Sequence, residues 1–152
     1  MSLTGKAELE LQIKCSADEF FGVFKSKAHR IPSACSQRVK SIEVHEGDWE
    51  TEGSVKHWNF VVDGNDETAK EKIQVDEENK TVIFEIVEGD MLKLYKSYKV
   101  YLQIIPSPTG QGGKVKWTAE YEKANEDVPS PNKYLEFGAH LTTNLDAYLL
   151  KA

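Results

Sequence analysis

The 152-residue sequence predicts an α+β fold, an antiparallel sheet of consecutive strands with one long helix at its C-terminal end. Three observations predict it. Tyr134, Phe137, Leu141, Leu145 and Tyr148 recur at spacings of three and four, the signature of an amphipathic helix. Six segments between residues 38 and 121 alternate apolar with polar side chains, as half-buried strands do. Short turn signals such as Asp63-Gly64-Asn65-Asp66 separate them, so neighbouring strands run antiparallel.

The elements follow in order. Ala7, Leu9, Leu11 and Ile13 alternate with Glu8, Glu10, Gln12 and Lys14, which predicts a first strand. Ser16 and Glu19 then have the spacing of a capping box, opening a helix that carries Phe20, Phe21, Val23 and Phe24. A second helical turn or loop covers residues 28–35, interrupted by Pro32. Strands are expected over 38–45, 55–62, 70–75, 81–87, 95–105 and 115–121, seven with the first. A polar break with Pro129 and Pro131 precedes the last helix, which at ~20 residues is ~30 Å long. No repeat or linker divides the chain, so residues 1–152 are expected to form one domain.

The bulk numbers exclude several function classes. A net charge of −6, with lysines dispersed among acidic neighbours, opposes binding to nucleic acid or an anionic membrane. Cys15 and Cys35 lack a framework spacing, which suits a reducing compartment and predicts free thiols. The first residues lack a signal peptide's apolar core, no apolar run is long enough to span a bilayer, and Ser2 stands where myristoylation needs glycine. A cytoplasmic, monomeric protein is the expectation. His29, His45, His57 and His140 show no metal-ligand spacing, and no nucleophile has a suitably spaced base, so neither a metal nor a cofactor is expected.

Motif order points to a family. Gly47-Asp48-Trp49, Gly53-Ser54-Val55-Lys56-His57-Trp58-Asn59-Phe60, Val87-Glu88-Gly89-Asp90, Tyr95-Lys96-Ser97-Tyr98 and the segment 116–127 resemble the major-latex-protein branch of the plant birch-pollen-allergen (pathogenesis-related class 10, START-like) superfamily. The resemblance covers essentially the whole chain. It implies a helix-grip fold, in which a curved seven-stranded antiparallel sheet wraps the C-terminal helix and two short helices close one end. It also implies a large apolar cavity for hydrophobic metabolites, and a role in defence or stress response.

Strand parity names the candidate lining. Trp58 and Phe60 share a face, as do Val82, Phe84 and Ile86, Tyr98 and Val100, and Trp117, Ala119 and Tyr121; the helix adds Tyr134, Phe137, Gly138 and Leu141. Each could equally pack as plain core; together they favour a pocket, which is typically apolar with few polar groups. Glu71 either faces inward with Ile73 and Val75 or sits exposed where its strand frays, and the resemblance favours the first. A buried carboxylate must be paired, hydrogen-bonded or protonated, and Lys96 or Tyr98 is the expected partner. Those three are also the acid–base candidates. At Gly138 the missing side chain makes room either for close packing or for a ligand beside Phe137. The loop 46–53 carries four acidic residues and lacks the ending of a phosphate loop, so no nucleotide site is expected.

The leading functional expectation is a carrier for hydrophobic small molecules. A cavity enzyme of specialised metabolism is the alternative, and a ligand-dependent signalling partner the third.

Overall fold

A computed structural model describes residues 3–151. Strand β1 (Thr4–Ile13) leads into helix α1 (Ala17–Ser26), a 3-10 turn (Ala28–Arg30) and the one-turn helix α2 (Ile31–Ala34). Strands β2 (Val39–Glu46), β3 (Val55–Val62), β4 (Asn65–Asp76), β5 (Thr81–Gly89), β6 (Tyr95–Pro106) and β7 (Gly113–Lys123) follow, and helix α3 (Asn132–Lys151) ends the chain. The seven strands form one antiparallel sheet in the order β1-β7-β6-β5-β4-β3-β2. The expected fold class is the observed one.

Local chemistry fixes these elements. Ser16 Oγ accepts the amide of Glu19 and caps α1. The β3–β4 hairpin is tighter than its sequence suggests. Only Asp63 and Gly64 form the loop, both at positive φ (52° and 77°), the geometry whose twist matches paired strands. Strand β4 therefore begins at Asn65 rather than near Lys70, and Glu67 and Ala69 join the inward face. The loop 46–53 is held by its own side chains. Asp48 accepts the amides of Glu50 and Thr51, and this holds its carboxyl below the usual range.

Helix α3 lies on the concave side, with Tyr134, Gly138, Leu141, Leu145 and Leu149 buried along it. Two polar anchors set its position. Asp146 accepts the amides of Lys14 and Cys15 at 2.8–3.1 Å, tying the helix to the end of β1. Arg38 grips Glu136 with two hydrogen bonds of 2.7 and 3.2 Å. The rings of Phe20 and Phe24 from α1, 5.4 Å apart, fill one end of the space between sheet and helix. Cys15 and Cys35 are free and buried, and burial pushes their thiols up to about 12 and about 11. No described helix is long and apolar enough to cross a membrane.

Candidate functional site

Between sheet and helix lies an apolar cavity. Its wall includes Trp58, Phe60, Glu71, Phe84, Tyr98, Val100, Trp117, Ala119, Tyr134, Phe137, Gly138 and Leu141, all singled out by parity or helical spacing. Phe24, Ala69, Ile86, Met91, Thr118 and Leu135 complete it. Ile86 has the parity of Phe84, and Ala69 that of Glu71. Met91 comes from a 3-10 turn after β5, where no periodicity points. The cavity holds about 70 Å³, whereas sites for drug-sized ligands run to about 300–1,000 Å³. The large cavity that the resemblance implies is therefore contracted here. Aromatic rings fill it: Phe60 meets Phe137 at 5.0 Å, and Phe24 meets Phe84 and Trp117 edge-on at 6.2 and 5.8 Å.

Three expected residues stand elsewhere. Val82 is fully buried in the core but is not part of the cavity wall. Tyr121 packs against Tyr95 at 5.5 Å and Tyr98 at 6.3 Å. Its ring lies over its cross-strand partner Gly5, leaving Tyr98 as the wall. Lys96 points to solvent, with Glu122 3.6 Å from its ammonium. The cause is a β-bulge. Tyr95 pairs with Lys123 and Ser97 with Glu122, so the extra residue, Lys96, breaks the alternation before Tyr98. Tyr98 keeps its place in the wall, and burial drives its hydroxyl above the ordinary tyrosine range.

Glu71 sits in the wall, but neither Lys96 nor Tyr98 donates a hydrogen bond to it. Desolvation raises its carboxyl to about 8, so it is mostly protonated at neutral pH. Its charged neighbour is Lys56, directly across the β3–β4 ladder. Lys56 is only 4% exposed, and its ammonium has no hydrogen-bond partner in the described protein. Desolvation lowers its pKa, opposed by Glu71 and by Asp48 from the loop 46–53. Its Nζ lies 5.8 Å from the centre of the Trp49 ring. The indole Nε1 of Trp58 is likewise buried and unpartnered. Sequence reasoning passed over Lys56, although it has the parity of Trp58, Phe60 and Val62.

Two other polar groups of the wall, on Tyr134 and Trp117, have partners. Tyr134 donates to Glu67 Oε1 at 2.8 Å and Lys133 to Oε2 at 3.4 Å. Trp117 Nε1 donates to Thr142 Oγ1 at 2.8 Å, and that hydroxyl donates to the Gly138 carbonyl at 2.8 Å. The room at Gly138 is thus taken by Trp117, whose ring would lie 3.3 Å from an added Cβ. Gly138 packs closely against Trp117 and also borders the cavity. Among the described residues, no group of three or more His, Cys, Asp and Glu side chains is placed to hold a metal.

Comparison with known proteins accords with this geometry. The chain is 41% identical to MLP-like protein 28 of Arabidopsis thaliana over 98% of its length and 45% of that protein's. It is 39% identical to MLP-like protein 31 of the same plant, over 98% of this chain and 88% of that one. The chain spans about half the length of some of the curated relatives it matches. Ginseng major latex-like protein 151 from Panax ginseng superposes with a TM-score of 0.92 at 36% identity, over 97% of this chain and 99% of that one. Norcoclaurine synthase from Thalictrum flavum shares the fold, with a TM-score of 0.80 at 21% identity, over 99% and 88%. Residues 2–152 match the pattern of one family throughout, and the chain belongs to the Pathogenesis-related protein Bet v 1 family.

Proposed function

We propose that this protein is a cytosolic, monomeric carrier that takes up a hydrophobic small molecule between its sheet and α3, in the service of plant defence or stress response. One observation carries the reading: the cavity wall is built mostly from aromatic and aliphatic side chains, with few polar groups, Glu71 and Tyr98 among them. Such a lining rewards apolar area and discriminates weakly among apolar shapes. Membership of the Bet v 1 family supports it. Two buried free cysteines suit a reducing compartment.

Uptake of a sterol- or flavonoid-sized molecule requires the cavity to widen, and the Phe60–Phe137 contact is one of those that must open. The test is native mass spectrometry of the protein from its own tissue, followed by titration with the released molecule, read by Trp58 and Trp117 fluorescence. Saturable, one-to-one binding with the ligand recovered unchanged is expected, and Phe137→Ala should speed uptake. Absence of saturable binding for every apolar molecule tried would overturn the carrier reading. A second reading is catalysis inside the cavity, favoured by the protonated Glu71 and by a synthase of the same fold. Ligand consumption that disappears in Glu71→Gln would establish it.

A further inference from the structure

The carrier reading uses the apolar wall but leaves one group without a task. Lys56 is an ammonium side chain removed from water, with no hydrogen bond to justify its burial. A buried cation normally has a partner, because desolvation otherwise costs several kcal/mol. Here the surroundings are Phe24, Ala28, Trp58, Glu71, Ile73 and Phe84, which enclose a small space of about 10 Å³ with Lys56. Four of these, Phe24, Trp58, Glu71 and Phe84, also line the main cavity, so the two spaces share a wall. The end of a ligand in the cavity therefore comes up against Glu71, with the Lys56 amine behind it.

We propose that Lys56 captures apolar aldehydes and ketones covalently and reversibly, as an imine on Nζ, with Glu71 as its proton-transfer partner. This rests on the carrier reading, since the apolar wall holds the carbonyl compound in place. Lysines desolvated in apolar pockets are the usual imine-forming residues, because they keep a share of neutral amine at ordinary pH. Glu71 is the complementary group, a carboxyl held protonated by the same burial. The neutral amine's lone pair attacks the carbonyl carbon and a C–N bond forms. The carbonyl oxygen takes a proton from Glu71, while the nitrogen gives one up to the resulting carboxylate. The carbinolamine then loses its hydroxyl, protonated by Glu71, as water, and the iminium left behind returns its N–H proton to the Glu71 carboxylate to give the imine. Atoms balance as amine plus carbonyl giving imine plus water, with no oxidant or reductant. The small space beside Lys56 is about the size of one water, enough for the departing oxygen.

The test uses trans-cinnamaldehyde with sodium cyanoborohydride, which reduces the imine to a stable secondary amine, followed by peptide mapping. Sub-stoichiometric aldehyde should label Lys56 ahead of the exposed lysines. A saturating apolar fluorescent probe should suppress that label while sparing theirs. Lys56→Met should lose the label yet melt no lower than the parent protein and keep its binding of the probe, which separates lost chemistry from lost fold. Glu71→Gln should slow labelling about a hundred-fold. Label spread evenly over the exposed lysines, or a Lys56 that reacts only after denaturation, would overturn the proposal. Probe binding without any Lys56 label would reject the imine and leave the carrier reading standing. Absence of both would reject the carrier reading too.

Discussion

Two carboxylates stand four residues apart on the inward face of β4, and they live under opposite rules. Glu67 spends both oxygens, one on the Tyr134 hydroxyl and one on the Lys133 ammonium. Around it Tyr95 donates to the Pro129 carbonyl at 2.8 Å and packs edge-on against Tyr98, Tyr121 and Tyr134. Among the described residues Glu71 has no donor, and its charged neighbour Lys56 has no acceptor. The Glu67 end is a strut between sheet and helix. The Glu71 end carries polar groups that folding leaves unsatisfied, a cost that stability alone does not explain. The difference teaches where to look for function in a wall that is otherwise uniformly apolar.

The sharpest way to break the comparison is pH. Unfolded, Glu71 releases its proton near the ordinary value of 4.5; folded, it holds it to about 8. Between those values the unfolded chain binds fewer protons, so this group's contribution to stability is full below about 4.5 and is lost as pH rises to about 8. Urea unfolding should show a decline of a few kcal/mol over that window, and Glu71→Gln should flatten it. A variant with the wild-type slope would mean that Glu71 does not carry the pH dependence.

At the other carboxylate, Tyr134→Phe strips Glu67 Oε1 of its donor in a buried site. A loss of about 1–3 kcal/mol is expected in the same assay. Lys56→Met points the other way. Exchanging an unsatisfied buried cation for an apolar chain of similar length should be neutral or stabilising by about 1 kcal/mol. Destabilisation comparable to Tyr134→Phe would make the Lys56 corner a second strut.

Most of the fold was legible because periodicity is a local signal. Alternation gave the strands, and the Tyr134–Tyr148 stripe gave the helix. The errors came from features that break periodicity. One extra residue at Lys96 turns that side chain outward, and nothing in Tyr95-Lys96-Ser97-Tyr98 announces a bulge. The Asp63-Gly64 signal was read as a turn, but it does not say that pairing resumes at once, so Glu67 was missed. Lys56 was hidden by composition, since a lysine among apolar residues reads as surface unless parity is applied strictly. The degree of filling is the least legible property. The same aromatics that predict a pocket also close it, and only their mutual ring contacts decide which.

The smallest expected effect, at Gly138, separates the cavity's packing from its binding. Alanine gains about 1 kcal/mol over glycine inside a helix. Here the new methyl meets Trp117 at 3.3–3.4 Å, closer than comfortable contact, and the ring cannot drift freely because Thr142 holds its Nε1. The two effects oppose each other, so Gly138→Ala alone should change stability by less than about 1 kcal/mol. Trp117→Phe shrinks the ring and removes its anchor to Thr142. In that background Gly138→Ala should recover the full helical gain, giving a double-mutant cycle with favourable coupling. Binding of an apolar fluorescent probe should not differ between Gly138 and Gly138→Ala. Additive effects, or probe affinity that falls in the folded alanine variant, would return Gly138 to the ligand's side of the wall.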